Sequence, residues 1–146
     1  MYIANLCPHA NIHIDITGIT EENTGVFSWQ HGITIDAATL ATLTEEPEIS
    51  QLGIAIHECA HMKQFYNWGG TLRGRDAMEA RSAAVFVADD DPSGATVPMS
   101  PRWSPLEHAA DCAKELISSE RYRTYGGYCN PTESAAVGLL WQNLQY

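Results

Sequence analysis

Residues 48–70 read EISQLGIAIHECAHMKQFYNWGG. Apolar side chains recur through Ile49, Leu52, Ile56, Ala60 and Phe65 at helical spacing, which predicts a long helix from about Glu48 to Trp68. Gly69 and Gly70 follow the last periodic residue, where glycine commonly closes a helix. Within this helix lies His57-Glu58-Cys59-Ala60-His61. His57 and His61 are four residues apart and share one face. Two imidazoles so placed reach one zinc ion at about 2.0–2.1 Å each. Glu58 falls at the edge of that face, where its carboxylate meets a water on the metal rather than the metal itself. A metal-assisted hydrolase needs this arrangement: the metal acidifies the water and the carboxylate takes its proton. The motif also sits in mid-helix among apolar residues, where unpaired histidines and a glutamate are costly to bury.

A catalytic zinc usually takes three protein ligands and keeps one position open, so a third ligand is expected elsewhere. The best candidate stretch is Leu106-Glu107-His108-Ala109-Ala110-Asp111-Cys112. Glu107 and Asp111 are again four apart on one helical face, and the small alanines beside them let this helix approach the first one closely. Glu107 then serves as ligand while Asp111 accepts the outer N–H of a ligand histidine and fixes its orientation. Two alternatives stay open: Asp111 as ligand with Glu107 in support, and Glu79 on the intervening helix, which has Ala83 rather than an acid one turn on. His108, next to Glu107, points about 100° round the helix, away from the site. His9, His13 and His31 fall in the strand region.

The rest of the chain reads as strands first and helices afterwards. Residues 11–17 alternate apolar and polar, the period of a half-buried strand. Residues 18–25 form a turn rich in Gly, Glu and Asn. Residues 26–30 and 33–36 predict one or two short strands around Gly32. Residues 37–47 read as a short helix or loop ending at Pro47. A second helix is expected from about Arg75 to Ala88, then a Pro-rich loop, with Asp89-Asp90-Asp91 as a solvated turn lacking EF-hand spacing. A third helix is expected from Pro105 to about Arg123 with Ser104 as N-cap, and a fourth from near Pro131 to the end. This order predicts an α+β domain spanning residues 1–146, its helices packed on a small antiparallel sheet.

Here the residues resemble a family. His-Glu-x-x-His followed by Glu-x-x-x-Asp is similar to the gluzincin branch of zinc metallopeptidases, and more closely to small bacterial and phage-encoded neutral zinc metallopeptidases. In that group the first motif extends to a Gln three residues past the second His, the place of Gln64. Its second motif, Glu-x-x-Ala-Asp-Cys, matches Glu107, Ala110, Asp111 and Cys112. The resemblance covers about residues 50–115. It implies a minimal zincin-like fold and zinc held by His57, His61 and Glu107. It also implies Glu58 as general base, with Asp111 behind a ligand histidine. The chain departs from the group at Ala60, where glycine is common, and in residues 89–105, which have no counterpart.

Peptide hydrolysis also needs a donor for the charge that develops on the carbonyl oxygen. Tyr125, in the Tyr- and Gly-rich stretch after the third helix, is the candidate. A peptide or protein substrate would add as a strand along an exposed edge, with residues 32–36 the natural candidate. The rival reading is a catalytically silent zincin-type module that grips a protein partner and keeps structural zinc.

Composition restricts partners and location. The 146 residues carry a net charge of −10 and no dense basic patch, which disfavours nucleic acid and anionic membranes. No apolar run is long enough to span a bilayer, and the N-terminus lacks the features of a signal peptide, so the chain as written is expected to be soluble and cytoplasmic. Cys7, Cys59, Cys112 and Cys129 form no CxxC pair, which excludes a cysteine zinc ribbon. Buried free thiols are the expectation in such a compartment. One Cys112–Cys129 bridge is the alternative.

Overall fold

A computed structural model of the chain describes Cys7 and residues 12–15, 25–28, 30–36, 51–88, 92–93, 99–119 and 125–146. Three short strands, β1 (Ile12–Asp15), β2 (Gly25–Ser28) and β3 (Gly32–Asp36), precede four helices. These are α1 (Gln51–Asn67), α2 (Leu72–Val85), α3 (Pro105–Ser118) and α4 (Pro131–Trp141). The α+β class is as expected. The stretches 37–47 and 89–91, with His9 and Tyr122, lie outside the described residues.

The sheet corrects one expectation. Its order is β1-β3-β2, with β2 antiparallel to β3 but β1 parallel to it, Ile12 facing Ile33 and Ile14 facing Ile35. The sheet is therefore mixed rather than antiparallel. The β2–β3 pair closes through a tight turn in which the His31 amide donates to the Ser28 carbonyl at 3.2 Å and Gly32 takes φ +81°. β1 pairs in parallel because the whole of β2 intervenes between it and β3, the length of connection a parallel neighbour requires. β3 is thus the central strand, and residues 32–36 are no edge. Among the described residues, the edge that lies toward the helices' cleft is β2.

α1 is buried nearly all round, from Ile54 to Ala60 and again at Met62 to Phe65, as befits a helix at the centre of a domain. One face meets the sheet, where Ala55, Cys59 and Met62 pack on Ile33 and Ile35. The other meets α3 and α4, where Ile56 and Ala60 join Ala109, Ala110, Ala113, Val137 and Leu140. The alanines on both helices keep side chains short at the crossing, so the α1 and α3 backbones come close. α1 ends in a Schellman motif: Gly70 N–H donates to the Phe65 carbonyl (3.1 Å) and Gly69 N–H to that of Tyr66 (2.9 Å), with Gly69 at φ +93°.

The other helices begin at polar caps. Ser104 Oγ accepts from Glu107 N with Pro105 in the first turn, and Asn130 forms a reciprocal capping box with Glu133. α2 starts at Leu72, three residues before the sequence-based start, because Thr71 caps it by accepting from Gly74 N. Gly74 serves a packing role: a Cβ there would lie 2.0 Å from the Trp68 carbonyl oxygen. α3 stops at Ser118, short of Arg123, where Ser119 turns left-handed at φ +62°.

The expectation of free thiols is also corrected. Cys7 bonds to Cys59 and Cys112 to Cys129, with Cα separations of 6.0 and 5.6 Å, inside the ordinary disulfide range. The first ties the segment at Cys7 to α1. The second ties α3 to the segment leading into α4. No helix among the described residues is long and apolar enough to cross a membrane.

Candidate metal centre

The crossing of α1 and α3 brings four predicted side chains together. Their spacing within each helix puts His57 and His61 on one face, and Glu107 and Asp111 on another, and the close approach sets the two faces against each other. Glu107 Oε2 lies 3.0 Å from His57 Nε2 and 3.2 Å from His61 Nε2, and the two Nε2 atoms are 3.2 Å apart. On the far side of the first ring, His57 Nδ1–H donates to Asp111 Oδ1 at 3.1 Å. Geometry therefore divides the two acids: Glu107 faces both Nε2 atoms, whereas Asp111 faces the outer nitrogen of His57. Glu79 borders the same cleft from α2 but is paired with Arg75 at 2.6 Å and is not among the groups that converge on the two histidines.

The tautomers follow from the partners. The Asp111 carboxylate only accepts, so His57 Nδ1 carries a proton whether or not Nε2 does. Gln64 Nε2 donates to the Leu106 carbonyl at 3.3 Å, which leaves Gln64 Oε1 to accept from His61 Nδ1 at 2.9 Å. Nδ1 of each ring therefore carries a proton, and both Nε2 atoms converge with a Glu107 oxygen on one point, where they would offer lone pairs to a cation once any Nε2 proton is displaced. Three such donors at 3.0–3.2 Å repel unless a proton or a cation lies among them. A metal ion satisfies all three at once, and His57, His61 and Glu107 form a group able to hold one. Gln64 is the residue whose role sequence reasoning missed. It was visible only as a match three residues past His61, the spacing at which helical side chains meet.

Protonation reflects the same crowding. Burial pulls the His57 imidazolium down, but the Asp111 and Glu107 carboxylates outweigh it and push the ring up to about 9. Burial raises Glu107 and Asp111, yet both end below the ordinary carboxylate range because the histidines donate to them. Lys114 and the Tyr125 amide add to the effect at Asp111; the amide donates to Oδ2 at 2.9 Å.

Glu58 stands beside this group without joining it. Burial pushes its carboxyl up, against the lowering pull of His57 and His61 and of the Phe27 backbone amide that donates to it. A hydrogen bond from a strand amide to this carboxylate could not be read from the sequence, since it depends on β2 docking against α1. Tyr125 lies over the site, its ring stacked on His57 at 5.7 Å between centroids and 26° between planes. Burial and the nearby Glu107 push its phenol up to about 12. His57, Glu58, His61, Gln64, Glu107 and Tyr125 line a cleft of about 530 Å³ whose walls include β2 and Arg102. His31 is exposed on the β2–β3 turn, and His108 is buried on the opposite side of α3 from Glu107. Comparisons of the chain with protein-family models, with curated proteins and with solved structures find no match.

Proposed function

We propose that the chain is a zinc-dependent peptidase of the gluzincin type, with His57, His61 and Glu107 as metal ligands. The observation that carries this reading is the convergence of three ligand atoms, each fixed from behind or by its helix, beside a buried carboxylate that is not one of them. Two imidazoles and a carboxylate suit zinc among the common divalent ions and leave a position open for substrate. Bound zinc supplies Lewis acidity, polarising a peptide carbonyl and making water acidic near neutral pH.

The chain's own groups do the rest. Glu58 takes the proton from the attacking water and passes it to the departing amine, and its raised affinity for a proton suits both transfers. The Phe27 amide holds that carboxylate in place. The Tyr125 phenol remains protonated at neutral pH and donates to the carbonyl oxygen as negative charge develops there. Asp111 and Gln64 keep each ligand ring in the tautomer that offers Nε2. The peptide lies along β2, which borders the cleft, rather than along the central strand β3. The two disulfides fit an oxidising compartment better than a reducing cytosol.

The test is a pair of assays on the purified protein: zinc content, and cleavage of a mixed peptide library resolved by mass spectrometry. The reading requires one zinc per chain and cleavage that stops when zinc is removed by chelation. Bound zinc without cleavage of any peptide would favour a silent zinc-bearing module instead.

A further inference from the structure

A second group of soft donors lies on the other side of α3. His108 is 0% exposed, Cys112 1% and Glu133 0%. His108 Nε2 lies 3.8 Å from Cys112 Sγ and 3.3 Å from Glu133 Oε2. The ligand atoms of His108, Cys112 and Cys129 all fall within 4.8 Å of one another. A tetrahedral zinc with nitrogen and oxygen at about 2.0–2.1 Å and sulfur at about 2.3 Å sets N···S near 3.6 Å and N···O near 3.3 Å. The His108 spacings already approach those values. The two sulfurs are joined as a disulfide, so the set becomes complete only when that bond is opened.

We propose that Cys112, Cys129, His108 and Glu133 form a second metal site that is gated by the disulfide and takes a soft divalent cation such as zinc when the bond is reduced. Two electrons from a dithiol break the S–S bond. Its two protons give the Cys112 and Cys129 thiols, and the dithiol closes to its own disulfide. The cation then displaces both thiol protons to solvent. Glu133 Oε2 only accepts, so in the disulfide form His108 Nε2–H donates to it; a cation would take that proton's place, with the ring proton moving to Nδ1, which has no hydrogen-bond partner. Glu133 is held by the Val87 and Asn130 amides, each at 2.9 Å, and its Oε2 already faces His108. The consequence is a cross-link between α3 and the segment entering α4 in either redox state: covalent when oxidised, metal-mediated when reduced. This site is independent of the peptidase reading, because it shares no ligand with His57, His61 and Glu107.

Cobalt(II) loading of the whole protein tests the proposal, since only thiolate ligands give an intense sulfur-to-cobalt charge-transfer band. A tertiary phosphine reduces the disulfides without competing strongly for metal; it becomes the phosphine oxide by taking oxygen from water, whose protons complete the thiols. Reduced protein is expected to bind one cobalt more per chain than oxidised protein and to develop the band, and zinc is expected to displace that cobalt and abolish the band. Cys112→Ser and His108→Ala should each remove or strongly weaken the band, whereas Glu107→Ala should leave it intact. No additional cobalt in reduced wild-type protein would overturn the proposal whether or not any variant folds. A band of full strength in Cys112→Ser would also overturn it, by assigning the sulfurs to Cys7 and Cys59.

Discussion

Replacing Asp111 with asparagine preserves shape and removes one acceptor, and it is predicted to weaken zinc binding about 10- to 100-fold. Asp111 is 0% exposed and receives donors on both oxygens: His57 Nδ1 and Lys114 Nζ at Oδ1, at 3.1 and 3.4 Å, and the Tyr125 amide at Oδ2, at 2.9 Å. An asparagine has a single acceptor oxygen, so its NH₂ must face a donor on one side. Facing His57, it accommodates the ring only in the other tautomer, with hydrogen on Nε2 and no lone pair for a metal. Facing the Tyr125 amide, it opposes N–H to N–H and pushes that segment away. Loss of such a partner behind a ligand histidine typically lowers metal affinity by the predicted factor, about 1.4–2.7 kcal/mol. Losing a charge-assisted hydrogen bond should also cost the metal-free protein about 1.5–3 kcal/mol. The assay is zinc competition against a chromophoric chelator at pH 7, with thermal unfolding of metal-free samples alongside. Zinc affinity within twofold of wild type would refute the assignment of Asp111 as the residue that fixes His57.

Glu58→Gln is expected to keep zinc at wild-type stoichiometry and to lower peptide cleavage by about 10²–10⁴-fold; loss of the metal or undiminished turnover would contradict its role as base. In the metal-free protein the His57 pKa is raised from 6.5 to about 9, so its contribution to stability is fully present below pH 6.5 and is lost as pH rises through about 9. Denaturant titrations of metal-free protein at pH 6, 8 and 10 should show that decline, while calorimetry of zinc binding in buffers of different ionisation enthalpy should show the one proton that His57 releases at pH 7 drop out of the count as pH rises through about 9. Cys112→Ser opens a closure between residues 17 apart and Cys7→Ser one between residues 52 apart, which chain entropy values at about 3 and 4 kcal/mol respectively. Chemical denaturation under non-reducing conditions checks both, and losses below about 1 kcal/mol would argue that the bridges do not constrain the unfolded chain.

The parts of this molecule that the sequence discloses are those written in local spacing. His57 and His61, like Glu107 and Asp111, are four apart, and helix geometry alone brings each pair to one face. The end of α1 at Gly69 and the start of α3 at Ser104 are equally local, because caps are decided by neighbouring backbone. What pairs across distance is not legible in the same way. The position of β3 between β1 and β2 depends on a parallel pairing that strand periodicity does not encode, so residues 32–36 looked like an edge. Four cysteines allow three pairings, and the choice between thiol and disulfide was argued from compartment rather than contact. The start of α2 rests on the Thr71 cap and on the approach of the Trp68 carbonyl to Gly74, a contact made with the end of α1. Gln64 and the Phe27 amide acquire their roles only once α3 and β2 are docked on α1.

The central claim is that His57, His61 and Glu107 together hold a zinc ion. Elemental analysis of protein purified without added metal, on wild type and on Glu107→Ala, tests it most directly, using protein kept oxidised throughout. The account predicts about one zinc per wild-type chain, and its loss or marked weakening in a Glu107→Ala protein that remains folded. Wild-type protein that takes up no zinc even when offered it, or a folded Glu107→Ala protein that binds zinc as tightly as wild type, would contradict it.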